Sequence, residues 1–167
     1  MRWLIDGYNV IRRDPDLRGH EAQSLEAGRR ALVHLVAGLA RQSPDEFTIV
    51  FDGARRGSAP SPGGRVTVLF SRPPETADDV MMRLAGQWHE AAIVVTSDRA
   101  IQHAAARARC AVLGAEEFLF RAFPAVPEAA ADVDDDEPRS TAKRGNPRRL
   151  SKRARAASRA LRRLPPR

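Results

Sequence analysis

The chain has 167 residues, of which 43% are hydrophobic and 29% charged, and it carries a formal net charge of +7. This length allows one domain with a substantial core and is too short for two. No apolar stretch approaches the roughly 18 residues that span a bilayer, and the single cysteine excludes an internal disulfide. A strand begins within two residues of Met1 and leaves no room for a secretory signal, so we expect a cytoplasmic protein without membrane contact.

The charge is distributed unevenly along the chain. Residues 1–123 carry 16 Lys/Arg and 15 Asp/Glu, whereas residues 124–167 carry 12 Lys/Arg and 6 Asp/Glu. We therefore predict a domain over 1–123, a flexible acidic linker over 124–145 and a basic, helix-forming tail over 146–167. The tail favours a polyanionic partner, RNA or the ribosome. Docking of its Leu/Ala seam on a partner helix or on the domain is an alternative, and contact with an anionic membrane is the least favoured one.

Strands and helices alternate over most of the first 123 residues. In chain order the predicted elements are a strand at 2–6, a polar loop to about residue 20, a helix at 21–42, a strand at 47–51, an exposed loop at 53–64, a strand at 65–70, a helix capped by Thr76, a strand at 93–96, a helix at 97–108, a strand at 109–113 and a helix at 115–122. Arg29 is expected on the surface of the long helix. The alternation predicts an α/β fold with a mainly parallel sheet covered on both faces.

Four aspartates stand where predicted strands end or a predicted helix begins: Asp6, Asp52, Asp78 and Asp98. The carboxyl ends of parallel strands form one edge of a sheet, and ligands bind at that edge. Carboxylates that converge there repel one another unless a cation lies between them. Mg²⁺ and Mn²⁺ prefer such oxygen ligands. The sequence therefore predicts a divalent-metal site for a phosphate substrate.

Each aspartate also has a purely structural explanation. Two of them precede glycine in common turn dipeptides, and Asp98 is placed to cap the helix that follows it. Asp79 matches the acidic partner of a capping box with Thr76, so it is only a secondary candidate for the site. Turn chemistry alone does not explain why three separate buried strands all end in aspartate, and this combination favours the metal site.

Four motifs carry a family resemblance in their order and spacing. They are Leu-Ile-Asp-Gly-Tyr-Asn-Val-Ile (4–11), Val-Phe-Asp-Gly (50–53), Glu-Thr-Ala-Asp-Asp (75–79) and Val-Thr-Ser-Asp-Arg (95–99). Together they resemble the YacP-like branch of the NYN domains, which belong to the PIN-like nucleases. The resemblance covers residues 1–123 and leaves 124–167 without a family counterpart. It implies a PIN-like three-layer α/β/α sandwich and a metal-dependent endoribonuclease for single-stranded RNA, in a setting of ribosome-associated messenger RNA decay.

The resemblance also implies roles for individual residues. Asp6 and Asp78 would be the principal metal ligands, Asp98 would complete the acidic cluster, and Asp52 would contribute nearby or through water. Asn9 would orient a ligand or a phosphate, although a hydrogen bond that closes its loop explains it equally well. Thr96 and Ser97 match the family's hydroxyl pair beside the last acid.

Arginines near the predicted edge are candidates for binding the RNA backbone. Those in the loop after the first strand are Arg12, Arg13 and Arg18, and those flanking the loop after the second strand are Arg55, Arg56 and Arg65. Scattered solvated charge is the alternative explanation for both groups. Trp3 is expected in the core, whereas Tyr8 is placed to stack on a base.

The expected reaction is hydrolysis of an RNA phosphodiester by water activated on Mg²⁺ or Mn²⁺, which leaves a 5′-phosphate and a 3′-hydroxyl. The main rival is a PIN-like module that binds RNA or the ribosome without cutting it. The presence of all expected acids disfavours that rival. A PIN-type toxin paired with an antitoxin is a third hypothesis, and the long arginine-rich tail argues against it.

Overall fold

The computed structural model describes residues 1–53 and 63–123, where five strands alternate with helices. In chain order the elements are β1 (Arg2–Asp6), α1 (Gly7–Ile11), α2 (Pro15–Gln23), α3 (Leu25–Gln42), β2 (Glu46–Phe51), β3 (Val66–Phe70), α4 (Ala77–Trp88), a 3₁₀ turn (His89–Ala91), β4 (Ala92–Val95), α5 (Arg99–Arg107), β5 (Ala111–Leu113) and α6 (Ala115–Ala122). The predicted linker and tail lie outside the described residues. None of the described helices combines the length and the apolarity needed to cross a membrane.

The five strands form one sheet in the order β3-β2-β1-β4-β5, and every neighbouring pair is parallel. β1 lies at the centre, where Trp3 pairs in register with Phe47 of β2 and Ile93 of β4. Trp3 is fully buried and its ring stacks on Phe47, which confirms its expected place in the core. The continuous apolar runs of β1, β2 and β4 follow from burial on both faces of the sheet.

Successive strand residues point to opposite faces, and each face packs against its own helices. On one face Ile5 packs into a cluster with side chains of α1, α3 and α6. On the other face Leu4 packs with Val94 and with apolar residues of α4 and α5. The prediction of an α/β fold with helices on both faces of a parallel sheet, as in PIN-like sandwiches, is confirmed.

The strand order places a crevice between β1 and β4. From β1 the chain moves outward through β2 and β3, then returns to the other side of β1 for β4 and β5. The loops that leave the carboxyl ends of β1 and β4 therefore diverge to opposite sides of the sheet, and such switch points are where ligands bind in open α/β sheets.

The predicted polar loop over residues 7–20 is wrong, because this segment forms α1 and α2. Asp6 caps α1 by accepting a hydrogen bond from the Asn9 amide, and Asp14 caps α2 in the same way from Leu17. Pro15 follows Asp14 at the first position of α2. The missing N–H of proline costs nothing there, because a backbone amide at this position has no partner within the helix. Asp6, which the sequence also allowed as a turn residue, thus acts here as a helix cap.

The predicted helix over 21–42 is two helices that break at Ser24. Ser24 has an extended backbone with φ of −167° and caps α3 by accepting from the Ala27 amide. The expectation that Arg29 lies on the surface of this helix is also wrong, because only 8% of its surface is exposed. Arg29 falls on the apolar stripe between Leu25 and Leu32, at intervals of four and three residues.

Gly7 begins α1 in close contact with the ring of Phe51. A Cβ at position 7 would stand 2.3 Å from Phe51 Cε1. Phe51 is fully buried and packs against Tyr8 and Phe70, so its ring has little room to move. We expect Gly7→Ala to lower the free energy of unfolding by about 1–3 kcal/mol through overpacking, measured by urea denaturation.

Gly86→Ala is the matched control for this substitution. Gly86 is exposed within α4, and no atom lies within 4 Å of the Cβ that alanine would add. Because alanine favours helix more than glycine does, we expect this variant to gain about 0.5–1 kcal/mol. If Gly7→Ala also raised the free energy of unfolding, the close contact between Gly7 and the Phe51 ring would be contradicted.

Candidate active site

Four aspartates from separate segments line one cleft at the carboxyl edge of the sheet. Asp6 ends β1, Asp52 follows β2, Asp78 lies in the first turn of α4, and Asp98 caps α5. The cleft has a volume of about 890 Å³, and we call it the acidic cleft; its lining residues are Asp6, Tyr8, Asn9, Arg12, Arg13, Leu25, Arg29, Asp52, Gly53, Thr76, Ala77, Asp78 and Asp98. The parallel strands thus bring together carboxylates that are up to 92 residues apart in the chain.

Asp6 is held from both sides of its carboxylate. Oδ1 accepts from the Asn9 amide at 3.1 Å, and Oδ2 accepts from the Thr96 hydroxyl at 3.0 Å. Burial raises the pKa of Asp6 above its usual value, and the nearby charges of Asp78 and Asp98 raise it further, although both hydrogen bonds act in the opposite direction. The fold therefore fixes this carboxylate in a place where its negative charge is unfavourable without a cation.

The carboxylate of Asp78 is repelled by the charges of three other aspartates. Its pKa is raised first by burial and then by the charges of Asp98, Asp52 and Asp79. Among residues 1–53 and 63–123, its carboxylate accepts no hydrogen bond that would offset these effects. Asp78 is consequently the aspartate whose oxygens are most available to a cation.

The other two carboxylates each use one oxygen for structure. Asp98 Oδ1 accepts from the amides of Ala100 and Ile101 at 2.7 and 3.1 Å, which caps α5. Asp52 Oδ1 accepts from the Ser71 hydroxyl at 2.6 Å. Within the described part of the chain, Oδ2 of each accepts no hydrogen bond. The structural hydrogen bonds of Asp98 and Asp52 therefore leave one oxygen of each residue available to a ligand.

The donor set of the cleft consists of oxygens, which suit Mg²⁺ or Mn²⁺. Across residues 1–53 and 63–123, however, no three acidic, histidine or cysteine side chains stand close enough to hold an ion among them. Mg²⁺ keeps several of its waters and is usually bound through one or two carboxylates. The cleft therefore fits a hydrated ion better than one enclosed by three or four direct ligands.

Thr96, Asn9 and Ser97 connect the loops that carry the aspartates. Thr96 is fully buried; its hydroxyl donates to Asp6 and accepts from the Asp98 amide at 3.1 Å. Asn9 Oδ1 accepts from the Ser97 amide at 2.9 Å, so the loop-closing role is present while the residue also lines the cleft. These side chains set the distance between the ends of β1 and β4.

Glu116 belongs to the same network and was missed from the sequence. It accepts from the Ser97 hydroxyl at 2.6 Å and from Arg13 Nη1 at 2.6 Å. The Ser97 hydrogen bond, then that of its own backbone amide, and to a smaller extent the charge of Arg13 lower the pKa of Glu116, although burial acts in the opposite direction. Because Arg13 and Glu116 are 103 residues apart, no local pattern indicates their pairing.

Asp79 does not line the acidic cleft. Its Oδ2 accepts from the Thr76 amide at 2.9 Å and from the Thr76 hydroxyl at 2.8 Å, and its own amide donates back to Thr76 Oγ1. This is the capping box that the sequence indicated, and the hydrogen bonds lower the pKa of Asp79. Its candidacy as a secondary site residue is not supported, because it does not line the cleft.

The predicted RNA-binding arginines do not form one group. Arg12 and Arg13 line the acidic cleft, whereas Arg55 and Arg56 lie outside the described residues. The placement of Arg65 at the acidic edge is wrong: it directly precedes β3, so it lies at the opposite edge and donates to the Ser43 carbonyl at 3.0 Å. Arg18, within α2, does not line the cleft.

Tyr8 and Arg29 pair inside the cleft, and neither the pairing nor the burial of Arg29 was expected. Arg29 Nε donates to the Tyr8 hydroxyl at 2.8 Å, and the guanidiniums of Arg29 and Arg12 lie 5.4 and 5.6 Å from the centre of the Tyr8 ring. Tyr8 also makes an edge contact with Phe51 and is half-buried in the wall of the cleft. The one sequence signal for this arrangement is the position of Arg29 on the apolar stripe of α3.

The raised pKa of Asp6 predicts a pH-dependent change in the stability of the metal-free protein. Because the folded state binds the Asp6 proton more tightly than the unfolded state, ionisation destabilises the fold as pH rises above about 4. In EDTA we expect Asp6→Asn to raise the melting temperature near pH 7, with a gain that shrinks toward zero at pH values below about 4. Thermal unfolding followed by circular dichroism across this range measures the effect.

Asp79→Asn is the matched control, and its expected effect has the opposite sign. The lowered pKa of Asp79 means that its ionised form stabilises the fold above the unfolded pKa, and that this stability is lost as pH falls. The variant should melt at a lower temperature than the natural protein near pH 7 and approach it in acid. The same pH trend for both variants would contradict the electrostatic difference between these two aspartates.

The sequence matches the YacP-like NYN domain family over residues 3–163. Over 100 residues it is 32% identical to the uncharacterized protein YacP of Bacillus subtilis (strain 168), in an alignment that spans 57% of this chain and only 59% of the relative. A crystal structure of Rae1 (YacP) from Bacillus subtilis superposes with a TM-score of 0.61 and 31% identity, covering 71% of each chain. A crystal structure of a mutant of that protein gives a TM-score of 0.60 and 30% identity, over 71% of this chain and 72% of that one.

These similarities extend further along the chain than the motifs suggested. The family match continues to residue 163, so the expectation that 124–167 has no family counterpart is wrong. The four aspartate motifs, the parallel sheet and the carboxyl-edge cleft all agree with this assignment. The chain belongs to the YacP-like NYN domain family, whose NYN domains are PIN-like nucleases.

Proposed function

We propose that this chain is a metal-dependent endoribonuclease that hydrolyses phosphodiester bonds within single-stranded RNA. The observation that carries the proposal is the convergence of four aspartates from separate segments in one cleft, two of which have raised pKa values. Groups with perturbed pKa values cluster at functional sites, because function demands an arrangement that stability alone does not favour. Membership of a nuclease family agrees with this interpretation.

Mg²⁺ or Mn²⁺ is the proposed cofactor. Asp6 and Asp78 are the proposed principal ligands, since Asp6 is fixed by two hydrogen bonds and Asp78 has free oxygens. Asp98 and Asp52 would contribute their second oxygens, directly or through water. When bound, a divalent ion offsets the charge on a phosphoryl group and activates water for attack.

The remaining side chains of the cleft position the carboxylates and the strand. Thr96 holds Asp6 in one orientation, and Asn9 ties helix α1 to the loop that carries Asp98. Arg12 extends along the Tyr8 ring at the cleft wall, where it can contact the RNA backbone. Preorganisation of this kind spares the active site the cost of ordering its groups during the reaction.

The proposed reaction is an ordinary hydrolysis. A water oxygen forms a bond to phosphorus while the bond from phosphorus to the 3′-oxygen breaks. The water's hydroxyl remains on the downstream fragment as part of a 5′-phosphate, and its proton ends on the 3′-oxygen of the upstream fragment. Messenger RNA at the ribosome is the proposed setting, a part of the proposal that rests on the family resemblance.

Asp78→Asn tests the catalytic proposal directly. Loss of this carboxylate removes a proposed ligand, and we expect cleavage of single-stranded RNA in Mn²⁺ to fall by roughly a hundredfold or more. EDTA should abolish cleavage by the natural protein, and the products should carry 5′-phosphates. Gel analysis of an end-labelled oligoribonucleotide measures both the rate and the chemistry of the ends.

The adjacent substitution Asp79→Asn is the control, because Asp79 serves the capping box and does not line the cleft. It should retain most of the cleavage activity. Activity that survives EDTA or Asp78→Asn would indicate a contaminating nuclease. Tight RNA binding without any cleavage would instead favour the non-catalytic RNA- or ribosome-binding module.

The basic tail is proposed to bind RNA or ribosomal RNA through its charge. From Pro138 onward the chain has 12 Lys/Arg and no acid. We expect replacement of the Lys and Arg residues of 148–163 by glutamine to weaken RNA binding and to reduce its salt dependence. The slope of the logarithm of the binding constant against the logarithm of the salt concentration should fall in magnitude by about 0.7 for each phosphate that the tail no longer neutralises. Fluorescence anisotropy in EDTA at several salt concentrations measures this slope.

The control for this experiment replaces the acids of 132–137 by their amides. These residues precede the basic run, so their replacement should not flatten the salt dependence. If the basic-to-glutamine variant keeps the slope of the natural protein, the tail does not bind the nucleic acid. Docking of the tail on the domain or on a protein partner would then be favoured.

A further inference from the structure

Arg29 places a buried positive charge in the wall of the acidic cleft. Its guanidinium lies over three aromatic rings, with its central carbon 5.4 Å from the centre of Tyr8, 5.7 Å from Phe51 and 5.2 Å from Phe70. Cations are attracted to the faces of aromatic rings, and burial strengthens this attraction. The rings therefore fix the position of the charge without neutralising it.

The hydrogen bonds of Arg29 go to a neutral hydroxyl, and in the described part of the chain its charge has one ion pair, which is long. Nε donates to the Tyr8 hydroxyl at 2.8 Å, and Nη2 donates to the same oxygen. The only carboxylate that forms an ion pair with it in the described part of the chain is that of Glu26, which lies 3.9 Å from Nη1, beyond hydrogen-bonding distance. A buried charge is costly unless it is paired, so this arrangement suits a residue that receives its anion from outside.

The nitrogen that remains available is Nη1. Every fully buried side-chain nitrogen and oxygen among residues 1–53 and 63–123 has a hydrogen-bond partner. Nη1 has no hydrogen-bond acceptor there, and it must therefore be reached by solvent. Arg29 lines the acidic cleft together with the four aspartates, so the cleft offers an anion a route to this side chain.

The other arginines of the cleft differ from Arg29 in this respect. Arg13 is engaged by Glu116 at 2.6 Å and is thus largely neutralised. Arg12 is exposed and has the Tyr8 ring on one side, so it is held less firmly than the buried Arg29 and loses more freedom when it binds an anion. Arg29 is already ordered by its rings and by Tyr8, so it can bind an anion at a smaller entropic cost.

We propose that Arg29, held by Tyr8 inside the aromatic cluster, is a substrate-binding residue whose Nη1 binds a phosphate oxygen of the RNA strand in the acidic cleft. This inference rests on the proposed ribonuclease function and adds to it a fixed cation in the cleft that the four aspartates line. Those aspartates repel a polyanion, and Arg29 supplies attraction in the same cleft. Tyr8 serves as a positioning residue, because its hydroxyl holds the guanidinium by Nε and Nη2 and leaves Nη1 without a hydrogen bond in the described part of the chain.

Arg29→Met tests the proposal, because methionine fills a similar apolar space without the charge. Loss of a hydrogen bond to a charged group should raise KM for single-stranded RNA on the order of tenfold or more, with kcat changed by less than about threefold. Arg30→Met is the matched control: Arg30 is the next residue on α3, is exposed and does not line the cleft. The two variants have the same net charge, so a difference in KM between them is specific to position 29.

A second measurement observes binding without cleavage. Tyr8 is the only tyrosine of the chain, so 3-fluorotyrosine labelling of the full-length protein gives one fluorine resonance beside Arg29. In EDTA we expect an RNA oligonucleotide to shift this resonance, and an uncharged methylphosphonate oligomer of the same sequence to leave it in place. The shift should persist in Arg30→Met and disappear in Arg29→Met.

The outcomes separate this inference from the proposed function. If the natural protein cuts RNA while Arg29→Met matches Arg30→Met in KM and in the fluorine shift, the role of Arg29 is overturned and the ribonuclease proposal stands. If the natural protein neither cuts RNA nor shows the shift, both proposals fall. Should Arg29→Met melt below the assay temperature, Arg29→Lys replaces it: it keeps the charge without the guanidinium fork, and a KM equal to that of the natural protein would overturn the proposal.

Discussion

The parallel pairing of β1 with a neighbour on each side is the constraint on which the rest of the structure depends. Because β2 and β4 both run in the direction of β1, the residues that follow all three strands emerge at the same edge of the sheet. An antiparallel β4 would carry Asp98 to the far edge, however favourable its local sequence. The acidic cleft is thus a property of strand direction, and the helices on both faces keep the sheet parallel by burying it completely.

The same pairing concentrates negative charge where burial makes it unfavourable. Thr96 and Asn9 partly offset this by bonding to Asp6 and to the neighbouring loop, so the carboxylates are oriented even while they repel. Helix capping contributes as well, since Asp6 and Asp98 satisfy backbone amides that would otherwise lack partners. Asp6 and Asp98 therefore each cap a helix and also line the cleft. For this reason a structural explanation of these aspartates from the sequence does not conflict with a role in the site.

Much of this arrangement was accessible from the sequence, for identifiable reasons. Buried parallel strands appear as apolar runs, and the aspartates at their ends follow from the same pattern. The helices of residues 7–23 were missed because their caps are residue types that also favour turns. The position of Arg65 follows from strand direction. Arg65 precedes β3, and in a parallel sheet the start of one strand lies at the edge opposite to the carboxyl ends of the other strands. The Arg13–Glu116 pair and the burial of Arg29 required tertiary contacts that no local pattern reports.

Phe51 links the two chemically opposite walls of the cleft. Its ring touches the position where α1 begins at Gly7, packs against Tyr8 and lies beneath Arg29, and the next residue in the chain is Asp52. A single rigid apolar side chain therefore lies between Asp52 and Arg29, which form no ion pair with each other in the described part of the chain. Relatives that replace this phenylalanine would have to shift both walls at once, so we expect the width of the cleft to vary with residue size at this one core position.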